Sequence, residues 1–123
     1  VGAEPDAPRH RLRLAPRIPA AWDRLELRRL RVGDAEASLS YRREGARHIF
    51  RLDQEAGAVP LRLVFEPALP GRRLLAARVD DREARLDARR AGARVVAPLQ
   101  ILLDHERTVE LRVEEAGAAG EAS

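Results

Sequence analysis

The most closely spaced acids are Asp80 with Asp81, Asp104 with Glu106, and Glu114 with Glu115. A glycosidase needs two carboxyls about 5 to 10 Å apart across a sugar bond. Adjacent residues of a strand point to opposite faces. Asp80-Asp81 and Asp104-His105-Glu106 moreover read as turns, where Asp is favoured for its local hydrogen bonds. These pairs therefore read as solvated turn acids. His10, His48 and His105 are far apart and fit no metal spacing. Only His48 falls on an apolar face, and it reads as a hydrogen-bonded core histidine. Ser38 and Ser40 lie mid-strand on a polar face, with no G-x-S-x-G elbow near them. No glycine-rich phosphate loop occurs, and with Cys at zero there is no disulfide or thiolate site. The residues spell out no catalytic constellation, and no cofactor or metal is expected.

Trp22 has two readings. One is a sugar-stacking platform; the other, which we favour, is a core or interdomain anchor. Sugar-binding faces commonly gather several aromatics, whereas Tyr41, Phe50 and Phe65 sit at inward positions.

Charge argues against nucleic acid. The sequence pI is about 10.7, but the net charge is only +3. All 23 basic residues are arginine, which stays protonated near neutral pH and so raises the pI. Asn is also absent, and the bias towards Ala, Arg and Gly resembles that of a GC-rich genome. A nucleic-acid surface needs clustered basic residues and aromatic platforms, and aromatics make up 3%. No apolar run approaches the roughly 20 residues that span a bilayer. No signal peptide is visible, so a cytoplasmic location is expected. The chain starts at Val1 and contains no Met, so we expect it to be a piece of something longer.

Hydrophobic periodicity gives the elements. Ala35, Ala37, Leu39 and Tyr41 alternate with Glu36, Ser38, Ser40 and Arg42, the period of a strand with one buried and one wet face. His48, Phe50 and Leu52 continue the pattern after a turn at 43–45, with Ile49 as an outward apolar exception. Leu61, Leu63 and Phe65 alternate in the same way, as do Leu75, Ala77 and Val79, then Ala84, Leu86 and Ala88, and finally Val109, Leu111 and Val113. Between Leu27 and Leu30 the pattern slips by one residue, which predicts a β-bulge at Arg28-Arg29. Val95 to Leu103 is nearly continuous apolar and reads as a strand covered on both faces. Residues 82–90 contain good helix formers but are short and lie between turns, so they read as strand. About nine short strands predict an all-β, antiparallel two-sheet β-sandwich over 9–114. Residues 1–8 read as a flexible leader or linker, and 115–123 as a disordered tail.

One run carries a family pattern. Leu12, Leu14, Pro16, Ile18, Pro19 and Trp22-Asp23 are followed by Leu25, Leu27, Leu30, Val32 and Gly33. Pro60-Leu61, Leu63, Phe65, Pro67, Pro70-Gly71 and Val79-Asp80 come later. This resembles the C-terminal β-sandwich of bacterial (α/α)6-barrel glycosidases of the glycogen-debranching, amylo-α-1,6-glucosidase-like kind. It covers about residues 11–113 and departs at Asp81, where a glycine is expected. The resemblance implies a non-catalytic accessory domain, because the catalytic acids of such enzymes lie in the helical barrel. The implied partner is that barrel domain of the same parent chain, with an α-glucan as a second candidate. On this reading Trp22, Ile49, Leu99 and Ile101 are the candidate interdomain or sugar contacts. An independent carbohydrate-binding module and an immunoglobulin-like spacer are the alternatives.

Overall fold

The computed structural model describes residues 3–6, 11–19, 21–57, 59–104 and 106–114. None of them is helical, so none forms a helix long and apolar enough to cross a membrane. Thirteen strands lie among them, more than the nine expected because several apolar runs are split. They are β1 (Ala3–Asp6), β2 (Arg11–Leu14), β3 (Arg24–Val32), β4 (Ala35–Glu44), β5 (Arg47–Ala56), β6 (Leu61–Phe65), β7 (Ala68–Pro70), β8 (Arg73–Val79), β9 (Arg82–Glu83), β10 (Arg89–Ala91), β11 (Arg94–Val96), β12 (Leu99–Leu103) and β13 (Arg107–Glu114).

They pair into a six-stranded sheet β3-β4-β5-β13-β8-β9, a four-stranded sheet β1-β2-β6-β12 and a three-stranded sheet β10-β11-β7. The pairing is antiparallel except between β2 and β6, which run parallel. The N-terminal segment thereby lies beside a strand that alternation alone could not assign to it. The third sheet is a bent continuation of the second. Leu99 faces Phe65 in one and Val96 faces Ala68 in the other, so a single register runs through both. Pro67 and Pro98 interrupt the ribbon at matching places, where proline cannot supply a ladder N–H. The Ala97 amide bridges the gap by donating to the Pro67 carbonyl at 3.1 Å. Two layers therefore result, as a sandwich requires.

The layers meet through one core. Leu12, Leu14, Leu61, Leu63 and Phe65 from one side and Leu39, Phe50, Leu52, Val109 and Leu111 from the other are all buried. Phe50 and Phe65 touch edge-on across the interface, with centroids 5.0 Å apart. Each such side chain contributes roughly 1.5 to 3 kcal/mol on burial.

The predicted bulge is present. Leu27 faces Leu39 and Leu30 faces Ala37, so Arg28 and Arg29 together oppose Ser38. Arg29 takes the left-handed conformation, φ 57. At the crossing from β7 to β8, Gly71 has φ 155, and a Cβ there would lie 2.1 Å from Val113 Cγ1. Only glycine fits.

Four expectations are corrected. Residues 3–6, read as part of a leader, form β1 and pair with β2; Pro5 is tolerated because β1 is an edge strand. Residues 84–88 keep alternating burial but form no ladder, so 82–90 is not one strand. Leu75 is exposed instead of inward. A register shift at Arg112/Val113 sets Leu74 opposite Val113, so Leu74 takes the place against the core. Val95 to Leu103 is two strands in different sheets, broken at Ala97-Pro98, instead of one doubly covered strand. His10, His105 and residues 115–123, for which expectations are given above, lie outside the described residues.

Candidate functional site

Two outer surfaces are open, one on each layer. The face of the six-stranded sheet is built from the polar positions of the alternating strands. Across its ladder run Arg24, Arg42, Ile49, Glu110, Arg78 and Glu83 in register. Two of these charges, Arg42 and Glu110, are paired within the face. Arg47 forms a two-point pair with Glu110, Nε to Oε2 at 3.0 Å and Nη2 to Oε1 at 3.1 Å. That hydrogen bond holds the Glu110 carboxyl below its ordinary range, with Arg47 and Arg78 adding attraction and partial burial opposing. Arg73–Glu114, Arg42–Glu44 and Arg28–Glu26 pair likewise at 2.6, 2.9 and 3.0 Å. Two shallow depressions of about 330 and 550 Å³ lie over the short side chains Ser38, Ser40 and Thr108. Glu26, Asp53, Glu55 and Glu106 rim the first, together with Arg28 and Arg51.

The face of the four-stranded sheet differs. Its ladder carries Asp6, Arg11, Arg62 and Leu102 in one row, and Glu4, Arg13, Val64 and Gln100 in the next. A depression of about 400 Å³ is lined there by Arg11, Arg62, Val64, Gln100 and Leu102. Arg13 pairs with Glu66 at 2.8 Å.

The sequence-derived contact residues divide between these places. Trp22 is 47% exposed, so it is not a core anchor. Ile49 lies half-buried on the outer face of the six-stranded sheet, lining the larger depression. Leu99 packs against the core and Ile101 is buried within it. Neither is open to a partner, which corrects that assignment by one residue: the outward side chains of β12 are Gln100 and Leu102. A doubly apolar run gave no parity from which to read this.

The acids of the turns are structural. Asp80 and Asp81 both take left-handed conformations, φ 52 and 67, in a two-residue hairpin between Val79 and Arg82. This is the geometry of a type I′ turn, which Asp tolerates. The Asp80 carboxylate accepts from the Thr108 amide at 2.9 Å and from Arg107 Nε. Sequence reasoning took Asp80 as merely solvated and did not foresee that bond across 28 residues. It also passed over Gln54, whose Oε1 accepts from the Leu61 amide at 2.7 Å and whose Nε2 donates to the Val59 carbonyl at 2.9 Å. A glutamine on a polar strand position carries no sequence signal for such a loop clamp.

His48 is fully buried, with Nδ1 2.7 Å from the Tyr41 hydroxyl. The rings stack at 5.8 Å, and Tyr41 also meets Phe50 at 4.9 Å. Burial pushes the Tyr41 phenol up to about 12, with Arg43 opposing and Asp23 adding to it. The pair belongs to the core. Among the described residues no three His, Asp or Glu stand together to hold a metal ion.

No family model, curated protein or solved structure matches this chain.

Proposed function

We propose that this chain is a non-catalytic accessory β-sandwich of a carbohydrate-active enzyme, packing on and stabilising the helical-barrel glycosidase domain of the same parent chain. The observation that carries the reading is where the family-like residues fall. Leu12, Leu14, Ile18, Leu61, Leu63 and Phe65 are all buried, and Leu25, Leu27 and Leu30 pack against them. The run that resembles the glycosidase sandwich is thus the framework of this one. The acids that sequence spacing brought together support a role without chemistry, since Asp80 holds a hairpin and Glu114 pairs with Arg73. The experiment is to read the remainder of the open frame and co-express its product with this domain. Several hundred flanking residues of helical hairpins that co-purify with the domain support the proposal. Tandem β-domains instead point to a spacer.

A carbohydrate-binding module is the second reading. It is favoured by hydroxyl-floored depressions on the six-stranded face and by exposed Trp22, two residues before Arg24 on that face's first strand. Calorimetry against maltooligosaccharides tests it: millimolar or tighter binding that Trp22→Ala abolishes supports the module, and absence of heat removes it.

A further inference from the structure

We infer that the outer face of the four-stranded sheet is a docking surface for a protein partner that presents carboxylates beside aliphatic side chains. Arg11 and Arg62 are direct partners across the parallel β2–β6 ladder, and both are exposed. Like charges in that position are destabilising. Neither forms an ion pair with any described side chain, although Arg13, two residues away, is paired with Glu66. Across the sheet Arg62 is flanked by Arg11 on one side and Leu102 on the other.

Beside the two arginines lie Val64 and Leu102, the latter 44% exposed. The depression they share is shallow and open, suited to side chains from another protein surface. A carboxylate set between the guanidiniums would relieve their repulsion and accept hydrogen bonds from both. Aliphatic groups flanking it would cover Val64 and Leu102. The contact uses the face, since Arg107 Nη1 donates to the Leu102 carbonyl at 2.9 Å and blocks the edge of β12 at that carbonyl. The chemistry stands for any such partner; that the partner is a helical barrel of the parent chain rests on the proposed function.

The test is an amide-shift titration of the whole 123-residue chain, isotopically labelled, with an acetylated peptide of alternating Leu and Glu. The expected result is saturable shifts at Arg11, Arg62, Val64 and Leu102, weakened by salt. Arg62→Glu should weaken binding about tenfold or more, and Leu102→Ala about threefold to tenfold. Arg112→Glu on the opposite layer should bind normally. Equal binding of a Leu and Gln peptide overturns the proposal, as do shifts confined to the six-stranded face or none at all. Inorganic phosphate saturating the same amides as tightly would make this a small-anion site and also overturn it. If the peptide binds but the reading frame encodes no helical barrel, the docking surface stands and the accessory-domain reading fails.

Discussion

On the six-stranded face Arg47, Arg73 and Arg42 each meet a glutamate, whereas on the four-stranded face Arg11 and Arg62 stand abreast and pair with no acid among the described side chains. Both surfaces draw on the same alternating grammar and the same arginine. The difference lies in whether a glutamate stands within reach of the arginine, on its own strand or a neighbouring one. On the first layer β13 supplies Glu110 and Glu114 beside the arginines of β5 and β8. On the second, β12 supplies Gln100 and Leu102. Both surfaces carry arginine rungs, Arg24–Arg42 and Arg47–Arg112 on the first and Arg11–Arg62 on the second, but on the first Arg42 and Arg47 each also reach a glutamate.

The strongest way to break this contrast is through the core both faces share. Phe50→Ala removes the edge contact with Phe65 and should cost about 3 to 5 kcal/mol in urea unfolding. If hydrogen exchange then showed only one layer loosened, the two faces would not rest on a common support. Next comes alkaline pH. The chain has one Tyr and neither Lys nor Cys, so side-chain titration above pH 9 reports essentially on Tyr41. Its folded pKa lies above the ordinary tyrosine value of 10.0, at about 12. Stability is therefore complete below pH about 10 and falls as pH rises through about 12, by about 2 to 3 kcal/mol in all. Phenolate absorbance should follow the unfolding transition, and Tyr41→Phe should remove the alkaline limb.

Asp80→Ala ranks third, at about 1 to 3 kcal/mol, because the Thr108 amide loses its acceptor. The smallest effects sharpen the comparison most. Arg62→Glu should raise stability by a few tenths of a kcal/mol, since it turns a like-charge rung into an opposite one. Arg47→Glu on the other layer should lower it, and the loss should shrink in salt. Equal signs for the two variants would erase the distinction. The Glu110 contribution, with its depressed folded pKa, is present above the ordinary glutamate range and fades as pH falls through the folded value.

Where one face of a strand is wet, the sequence alone revealed most of its geometry. The alternation in β4, β5, β6 and β13 places every buried residue on the correct side, and the slip at Arg28-Arg29 locates the bulge. Where both flanks are apolar, period two carries no phase. That is why the apolar run 95–103 cannot tell Gln100 and Leu102, which point outward, from Leu99 and Ile101, which do not. Long-range register is invisible in the same way: the shift beside Val113 that turns Leu75 out is set by a strand 38 residues further on. The candidate docking surface was not legible either, because Arg11 and Arg62 become neighbours only through the parallel pairing of distant segments.

The guanidinium of Arg107 bears on how molecules of this chain meet one another. A terminal strand with its amides and carbonyls facing water is an invitation to polymerise through the backbone, and LQILL in β12 is a greasy one. Arg107 acts as a doorstop on that rail, held by Asp80 while it occupies the Leu102 carbonyl. Removing it would leave that carbonyl of β12 open to a backbone donor from another molecule.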